Sequence, residues 1–243
     1  MRLFTFAVFA CGVVATARLH GAIVTVSDAL SSNNEIDDPP GSGIARTVNV
    51  SASFTQITDI HVTLDIGSAD GLNAWNGDLY AHLSGPSGTL AVLLNQTGVS
   101  SLNGAGYGNA GFSITLHDNL TNPDIHTYQE VSYSLNGSGQ LTGTWNSDGR
   151  ALATDSTRSN PLSSFAGENP NGTWTLLVAD LATGNTAKLN SWSLTIEGGA
   201  AVQGGSAVPE PISTSLGSAI ALLAGAILRR RRTRANPMHG ATH

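Results

Sequence analysis

Cysteine is nearly absent from this sequence of 243 residues, and its single example, Cys11, lies in the first apolar run. A disulfide needs two thiols, so one chain cannot form an internal disulfide framework. Once the N-terminal run is removed, the chain also has no thiolate to act as a nucleophile or as a metal ligand. The stability of the fold must therefore come from packing, with or without bound metal ions.

Basic residues are scarce in the middle of the chain, which the total of 11 Lys and Arg against 17 Asp and Glu conceals. Five of the basic residues lie between positions 229 and 234. Only four lie between positions 23 and 207, where there are sixteen acids. Nucleic-acid phosphates are bound by Lys and Arg, so nucleic acid is excluded as a partner. The acidic composition suits calcium binding or simple solubility.

Helical periodicity is also lacking between the two ends. Short runs of alternating apolar residues are separated by clusters of Gly, Asn, Asp, Ser and Pro. The clearest run is 60–66, in which Ile60, Val62, Leu64 and Ile66 share one face of a strand. This texture predicts one all-β domain, a sandwich or a barrel.

Further runs of the same kind follow along the chain. Residues 79–83 and 89–94 are predicted to form a hairpin, because a loop of Ser, Gly and Pro joins them. The run 112–116 is also strand-like. The polar stretches 98–111 and 120–160 are predicted to be long loops that carry short strands.

Two tryptophans, Trp174 and Trp192, alternate with Leu, Val and Ile in the last two predicted strands. This alternation favours a place in the core. A pair of exposed aromatic rings that stacks on a sugar is the alternative.

The N-terminus has the features of a secretory signal peptide. A basic start at Met1-Arg2 precedes the apolar run Leu3 to Ala17, which ends in small residues. Cleavage is expected after Ala17 or after Ala22, so residues 1–22 are assigned to the signal peptide and 23–197 to the β domain. We therefore expect the protein to be exported.

The C-terminus has three parts in a fixed order. A Gly- and Ala-rich linker at 198–207 leads to Val208, Pro209, Glu210 and Pro211. The apolar run 212–228 follows, and as a helix it would be ~26 Å long, close to the ~30 Å of a bilayer core. Next come Arg229, Arg230, Arg231 and Arg232, which would stay cytoplasmic together with a tail at 233–243.

This order resembles a PEP-CTERM sorting signal, here at 208–232. The resemblance implies recognition by an exosortase, a membrane protease-transpeptidase of Gram-negative bacteria that make exopolysaccharide. It implies a membrane-anchored precursor that is cut near the motif and then released or attached at the cell surface. A plain single-pass anchor is the alternative.

The last third of the domain carries a second resemblance. A Phe-x-Gly turn, an Asn-Gly-x-Trp strand entry, a strand that closes on Asp and a Leu-x-x-Trp-x-Leu strand occur in register. The residues concerned are Phe165, Gly167, Asn171, Gly172, Trp174, Asp180 and Trp192. This segment resembles the end of the P domain, also called Homo B, of proprotein convertases, and the looser match extends over roughly 23–197.

The P-domain resemblance implies a jelly-roll β-sandwich that stabilises a subtilisin-like catalytic domain. We expect no such catalytic domain before it here. Serine hydrolases need a nucleophile, a base and an orienting acid, but the sequence has no Gly-x-Ser-x-Gly, and His61, His82, His117 and His126 carry no flanking motif. We expect no catalytic residues in this chain.

Calcium is the one cofactor that the residue types favour. Asp70, Asn73, Asn76 and Asp78 crowd one predicted loop, and Asp118 follows a strand. Carboxylate and amide oxygens in loops are calcium ligands. The same residues also form ordinary turns, which is the alternative. The pair His117-Asp118 is too isolated in sequence to predict a zinc site.

The sequence therefore predicts an exported, non-catalytic P-domain-like module that an exosortase sorts to the cell surface or extracellular matrix. One alternative is an accessory domain for a separate subtilisin-like serine endopeptidase. The other is a matrix module that binds exopolysaccharide.

Overall fold

The computed structural model describes residues 21–28, 30, 34–37 and 43–199. Most of the predicted signal peptide, almost all of the linker, the sorting signal at 208–232 and the tail at 233–243 lie outside the described residues. In the described part, no helix has both the length and the apolar composition to span a bilayer.

The described residues are mostly β-structure with three short 3-10 helices. The strands are β1 (Ala22–Ser27), β2 (Glu35–Ile36), β3 (Ile44–Val50), β4 (Ile57–Ser68), β5 (Leu79–Ser84), β6 (Leu90–Asn95), β7 (Phe112–Leu116), β8 (Leu141–Trp145), β9 (Gly172–Asp180) and β10 (Ala187–Gly198). The 3-10 helices are Asn76–Asp78, Ile125–Glu130 and Leu162–Phe165.

These strands form two sheets, which decides between the sandwich and the barrel that the alternating sequence pattern left open. One sheet has the order β1-β10-β4-β7-β8, with the short β2 also paired to β10. The other has the order β3-β9-β5-β6. All pairings between named strands are antiparallel except that of β7 with β8, which is parallel. The predicted all-β, two-sheet architecture is confirmed.

One hydrophobic core includes residues from both sheets. The alternating residues Ile60, Val62, Leu64 and Ile66 of β4 are all buried, because period-two alternation points them to the same side of the sheet. The centre of β10 repeats this pattern.

Both tryptophans lie in this core. Trp174 on β9 is 0% exposed and Trp192 on β10 is 2% exposed. The prediction that they pack inside is confirmed. They are therefore not available as a surface platform for stacking on a sugar.

The predicted hairpin and the predicted loops are also found. β5 and β6 pair directly, and the turn between them is closed by the amide of Gly85, which donates to the Thr89 carbonyl oxygen at 3.0 Å. The stretch 98–111 contains no strand, and 120–160 contains β8 and the 3-10 helix Ile125–Glu130. Only the second of the two predicted loops therefore carries a short strand.

Candidate functional site

The predicted calcium loop begins with two exposed residues. Asp70 accepts hydrogen bonds from the Leu72 amide and from the Ser68 hydroxyl, each at 2.9 Å. These bonds, first of all the one from Leu72, lower the pKa of Asp70. Asn73 donates from Nδ2 to the carbonyl oxygen of Gly108 at 3.4 Å. Asp70 thus has the contacts of an Asx turn, which satisfies its own loop backbone.

The second half of the loop lies deeper. Asn76 is completely buried, and its Oδ1 accepts the amide of Gly111 at 2.7 Å while its Nδ2 donates to the Tyr128 hydroxyl at 3.2 Å. Burial raises the pKa of Tyr128, which keeps that hydroxyl neutral. Asp78 is partly buried in the 3-10 helix, and its carbonyl oxygen accepts the amide of Leu181. Asn76 therefore connects three loops through its side chain.

Asp118, the fifth predicted ligand, lies immediately beyond β7. Its carboxylate accepts bonds from the Ser147 amide at 2.7 Å, from Arg158 Nη2 at 2.8 Å and from the Ser163 amide at 3.1 Å. Only 8% of its side chain is exposed. Asp118 therefore joins the segments after β7 and β8 to the 3-10 helix Leu162–Phe165.

Calcium needs six to eight oxygen ligands directed at one point. Most of the predicted ligands direct their oxygens at donors within the protein. Among the described residues, Asp70, Asp78 and Asp118 do not belong to any group of three acidic or histidine side chains close enough to share an ion. Calcium binding stays a prediction, and no chemistry is derived from it.

The family-motif residues surround the start of β9. Phe165 and Trp174 pack edge to face with ring centroids 4.8 Å apart. The Trp174 indole N–H donates to the carbonyl oxygen of Pro170 at 2.8 Å. Asn171 accepts the Ala52 amide at 2.6 Å and donates to the Phe54 carbonyl oxygen at 3.0 Å, so it holds the segment between β3 and β4.

The remaining motif residues mark the ends of these elements. Gly167 has a φ of +83°, which allows the turn after the 3-10 helix, and Gly172 starts β9. Asp180 ends β9, is 1% exposed, and accepts the Ala182 amide at 3.1 Å. The motif therefore organises packing and turns, and in the described contacts none of its side chains forms a reactive pair.

A buried charge network lies where the segments after β7 and β8 meet. His126 Nδ1 is 2.7 Å from Asp148 Oδ2, and Arg150 bonds both to Asp124 at 2.6 Å and to Asp148 at 3.4 Å. His126, Asp148 and Arg150 are 5%, 0% and 7% exposed. With His126 protonated, two cations balance two carboxylates, as a buried charge cluster requires.

The partner of His126 Nε2 shows whether His126 and Asp148 could form part of a catalytic triad. Nε2 lies 3.0 Å from the carbonyl oxygen of Val99, which can only accept a hydrogen bond. A serine protease triad needs a hydroxyl at that position. Burial alone would lower the pKa of His126, but the hydrogen bond and charge of Asp148 outweigh it and raise that pKa. Because both ring nitrogens face acceptors, the site favours the charged imidazolium and gives the ring a structural role.

The charge network also forms one wall of a surface cleft. The cleft has a volume of about 370 Å³ and is lined by His126 and Arg150 together with residues of the segments 98–103 and 153–155. Arg150 is committed to Asp124, to Asp148 and, through Nε, to the Asp155 carbonyl oxygen at 2.9 Å. The polar groups at the base of the cleft thus bind one another.

One group of three potential metal ligands converges within the described residues. It consists of Asp59 and His61 on β4 and His117 just after β7, and none of the predicted calcium ligands belongs to it. The sequence did not predict this group, because His117 was considered only with its neighbour Asp118. The spacing Asp-x-His within a strand was the available signal, since residues two apart share a face.

Comparison with known proteins identifies the family to which this chain is similar. The model of the proprotein convertase P-domain matches residues 57–196, more than half of the chain, from the first residue of β4 into β10. No curated protein matches the sequence.

Several chains of solved structures are similar. Two of them come from a serine protease of Aeromonas sobria and from the complex of the Aeromonas sobria serine protease with its chaperone. In each comparison the identity is 20%, the TM-score is 0.40, and the match covers 74% of this chain and 27% of the other. This chain thus spans about a quarter of the length of those proteins.

The family match includes the Phe-x-Gly, Asn-Gly-x-Trp and Leu-x-x-Trp-x-Leu segments that build β9, β10 and the turn before them. The matched domain is a non-catalytic accessory domain of subtilisin-like proteases. The chain belongs to the proprotein convertase P-domain family.

Proposed function

We propose that this protein is an exported, non-catalytic accessory module with a jelly-roll-like β-sandwich, which binds and stabilises a separately encoded subtilisin-like serine protease. The observation that supports it is the P-domain match over residues 57–196, which includes strands of both sheets. The commitment of the buried His126 to Asp148 and to a carbonyl oxygen agrees with a structural role for that pair.

The acidic surface is compatible with this role. Between positions 23 and 207 there are sixteen acids and four basic residues. This excess of negative charge favours solubility outside the cell and association with a partner that presents basic residues. A protein that binds only the folded protease shifts its unfolding equilibrium by mass action. The protease should therefore lose activity more slowly when the module is bound.

The test uses the purified full-length chain and a subtilisin-like protease from the same organism. We expect the two to co-elute in gel filtration and the half-life of the protease at elevated temperature to increase with the concentration of the module. Trp174→Ala, which empties the core beside Phe165, serves as the unfolded control and should have no effect. Peptide hydrolysis by the chain alone would contradict the non-catalytic part of the proposal. An unchanged protease half-life without co-elution would contradict the accessory part.

The C-terminal segment supports a second part of the proposal. The order of Pro209-Glu210-Pro211, an apolar run and four arginines resembles a PEP-CTERM sorting signal, and that resemblance implies recognition by an exosortase. We propose that the module is sorted in this way to the surface or matrix of a Gram-negative cell.

A further inference from the structure

Two histidines distant in sequence face each other across adjacent strands. β4 pairs with β7 in an antiparallel register in which Val62 lies opposite Leu116. One step further along the same register, His61 lies opposite His117. Directly opposed residues have Cβ atoms ~5 Å apart. Asp59 is two residues before His61 and therefore shares its face of the sheet.

The three side chains converge on a small volume. The two imidazole rings stack with centroids 4.0 Å apart and an interplanar angle of 14°. Asp59 Oδ2 lies 3.3 Å from His61 Nε2 and 2.9 Å from His117 Nε2. Bonds of ~2.0–2.1 Å to a tetrahedral Zn²⁺ place neighbouring donor atoms roughly 3.3 Å apart. The two distances from Asp59 Oδ2 to the ring nitrogens are already close to that value, and all three ligand atoms lie within 4.8 Å of one another. Because the stacked rings are nearly parallel, ion binding would rotate one ring so that both Nε2 lone pairs point at the metal.

The backbone holds these ligands in place. The other carboxylate oxygen of Asp59, Oδ1, accepts the Ile60 amide at 2.8 Å, which leaves Oδ2 directed at the rings. The amide of His117 donates to the Trp145 carbonyl oxygen at 2.8 Å, which extends the β7–β8 pairing by one residue. The side chains of Asp59, His61 and His117 are 37%, 27% and 21% exposed, so an ion can reach them from solvent.

The geometry points to a binding site for a divalent transition-metal ion of the Zn²⁺ class, held by Asp59 Oδ2, His61 Nε2 and His117 Nε2, with the remaining coordination open to water. Two imidazoles with one carboxylate are a donor set that Zn²⁺ uses in sites with an open position. Ca²⁺ and Mg²⁺ prefer oxygen ligands in larger number. The site would join β4 to the end of β7.

Asn119 stabilises the metal-free tautomer of His117, which competes with metal binding. Its Oδ1 already accepts the amides of Thr121 and Asn122, so its Nδ2 faces His117 Nδ1 at 3.3 Å. Nδ1 then accepts, and Nε2–H donates to Asp59, in the metal-free protein. Metal binding through Nε2 requires the other neutral tautomer, in which Nε2 loses its proton to solvent and Nδ1 takes one up. The new Nδ1–H then faces the Asn119 Nδ2 amide, which cannot accept it. Ligating histidines usually donate this proton to an oxygen.

The experiment uses the full-length chain without a histidine tag, stripped of metal with a chelator. Titration calorimetry with Zn²⁺, and visible absorption with Co²⁺ as the probe, should detect about one site per chain in the wild type. Zn²⁺ should also raise the thermal unfolding midpoint, because it binds the folded state. His61→Ala and His117→Ala should each weaken this binding at least about tenfold and remove the rise in the midpoint.

The matched control lies on the same face of the same two strands. Thr63 and Thr115 are the next cross-strand pair, and Thr115→Ala should leave Zn²⁺ affinity unchanged. Asn119→Asp preserves the acceptor for Thr121 and Asn122 and offers a second oxygen to His117 Nδ1–H, so it should tighten Zn²⁺ binding about tenfold. Equal Zn²⁺ affinity in the wild type and in the His61→Ala/His117→Ala double variant would overturn the proposal. An unchanged affinity in Asn119→Asp would contradict ligation through Nε2 of His117.

Discussion

At the scale of single residues, His126 and His82 lie in environments that shift their pKa values in opposite directions. His126 donates from both ring nitrogens, to Asp148 and to the Val99 carbonyl oxygen, and its pKa is raised. His82 on β5 is half-buried, its Nδ1 has no hydrogen-bond partner within the described residues, and burial lowers its pKa. The folded state therefore favours the charged form of one ring and the neutral form of the other.

His126 should make stability depend on pH. Because its folded pKa lies above the unfolded value of 6.5, its contribution is complete below that pH and is lost as the pH rises through the raised pKa. His126→Gln should cost about 2 kcal/mol of unfolding free energy in mild acid, since it removes a charged hydrogen bond to Asp148. The difference between the wild type and the variant should shrink toward alkaline pH. Urea denaturation over a series of pH values measures it.

The control for this effect is the histidine with the opposite shift. His82→Gln should change the pH dependence in the other sense, because a ring with a lowered pKa costs stability as the pH falls below 6.5. If the difference between the wild type and His126→Gln did not vary with pH, the imidazolium assignment would be wrong.

At the scale of elements, the loop 98–111 meets β4 through a glycine that tolerates no side chain. Gly111 lies just before β7 with a φ of +106°, and a Cβ there would collide with the carbonyl oxygen of Ile66. Its amide donates to Asn76 Oδ1, and its carbonyl oxygen accepts the Leu141 amide at 2.9 Å. This residue therefore sets where β7 enters the sheet between β4 and β8.

Gly111→Ala should be strongly destabilising. The new Cβ meets backbone and not a movable side chain, and the left-handed conformation is itself unfavourable for alanine. We expect a loss of at least ~2 kcal/mol in the free energy of unfolding, measured by urea denaturation. Gly104→Ala in the same loop is the control, because a Cβ at that position would have no atom within 4 Å and the φ of Gly104 is not positive. Similar losses for both variants would contradict a specific role for Gly111.

At the scale of the whole molecule, the family match does not include all of the sandwich. Residues before 57 add β1 and β2 to β10 and add β3 to β9, so the N-terminal part of the domain supplies strands to both sheets. Edge strands that are paired no longer offer free backbone groups to other chains. The N-terminal strands thus protect the two longest motif-bearing strands, β9 and β10.

The C-terminal segment leads to a prediction about the fate of the protein. In a host with an active exosortase, the intact mass of the exported protein should correspond to loss of residues beyond the Pro209-Glu210-Pro211 motif. In a strain without the enzyme, the mass should include the apolar run and the arginines, and the protein should fractionate with the membrane. Glu210→Ala should reproduce the second result in the normal host. A mass that includes the apolar run and the arginines in both strains would mean that the segment is a plain anchor.

Local alternation in the sequence was enough to predict the central strands and their inward faces. Apolar residues alternate with polar ones in 60–66, around Trp174 and around Trp192. This alternation is visible between neighbours in the chain, and burial of one face of a sheet requires it. The motif of β9 and β10 likewise identified the family, because its turns and core aromatics lie within about thirty residues of one another.

Only the tertiary structure decided which polar residues meet. The approach of His61 to His117 depends on the register of β4 against β7, and that register is set by core packing between strands far apart in sequence. The pairing of His126 with Asp148 depends in the same way on the approach of the segment after β7 to the segment after β8. The crowding of polar residues at 70–78 in the sequence did not determine the direction of their side chains, because the side chains of Asp70, Asn73 and Asn76 bond to different backbone and loop partners. Short-range patterns determine which face of a strand is buried, whereas long-range pairing determines which side chains become neighbours.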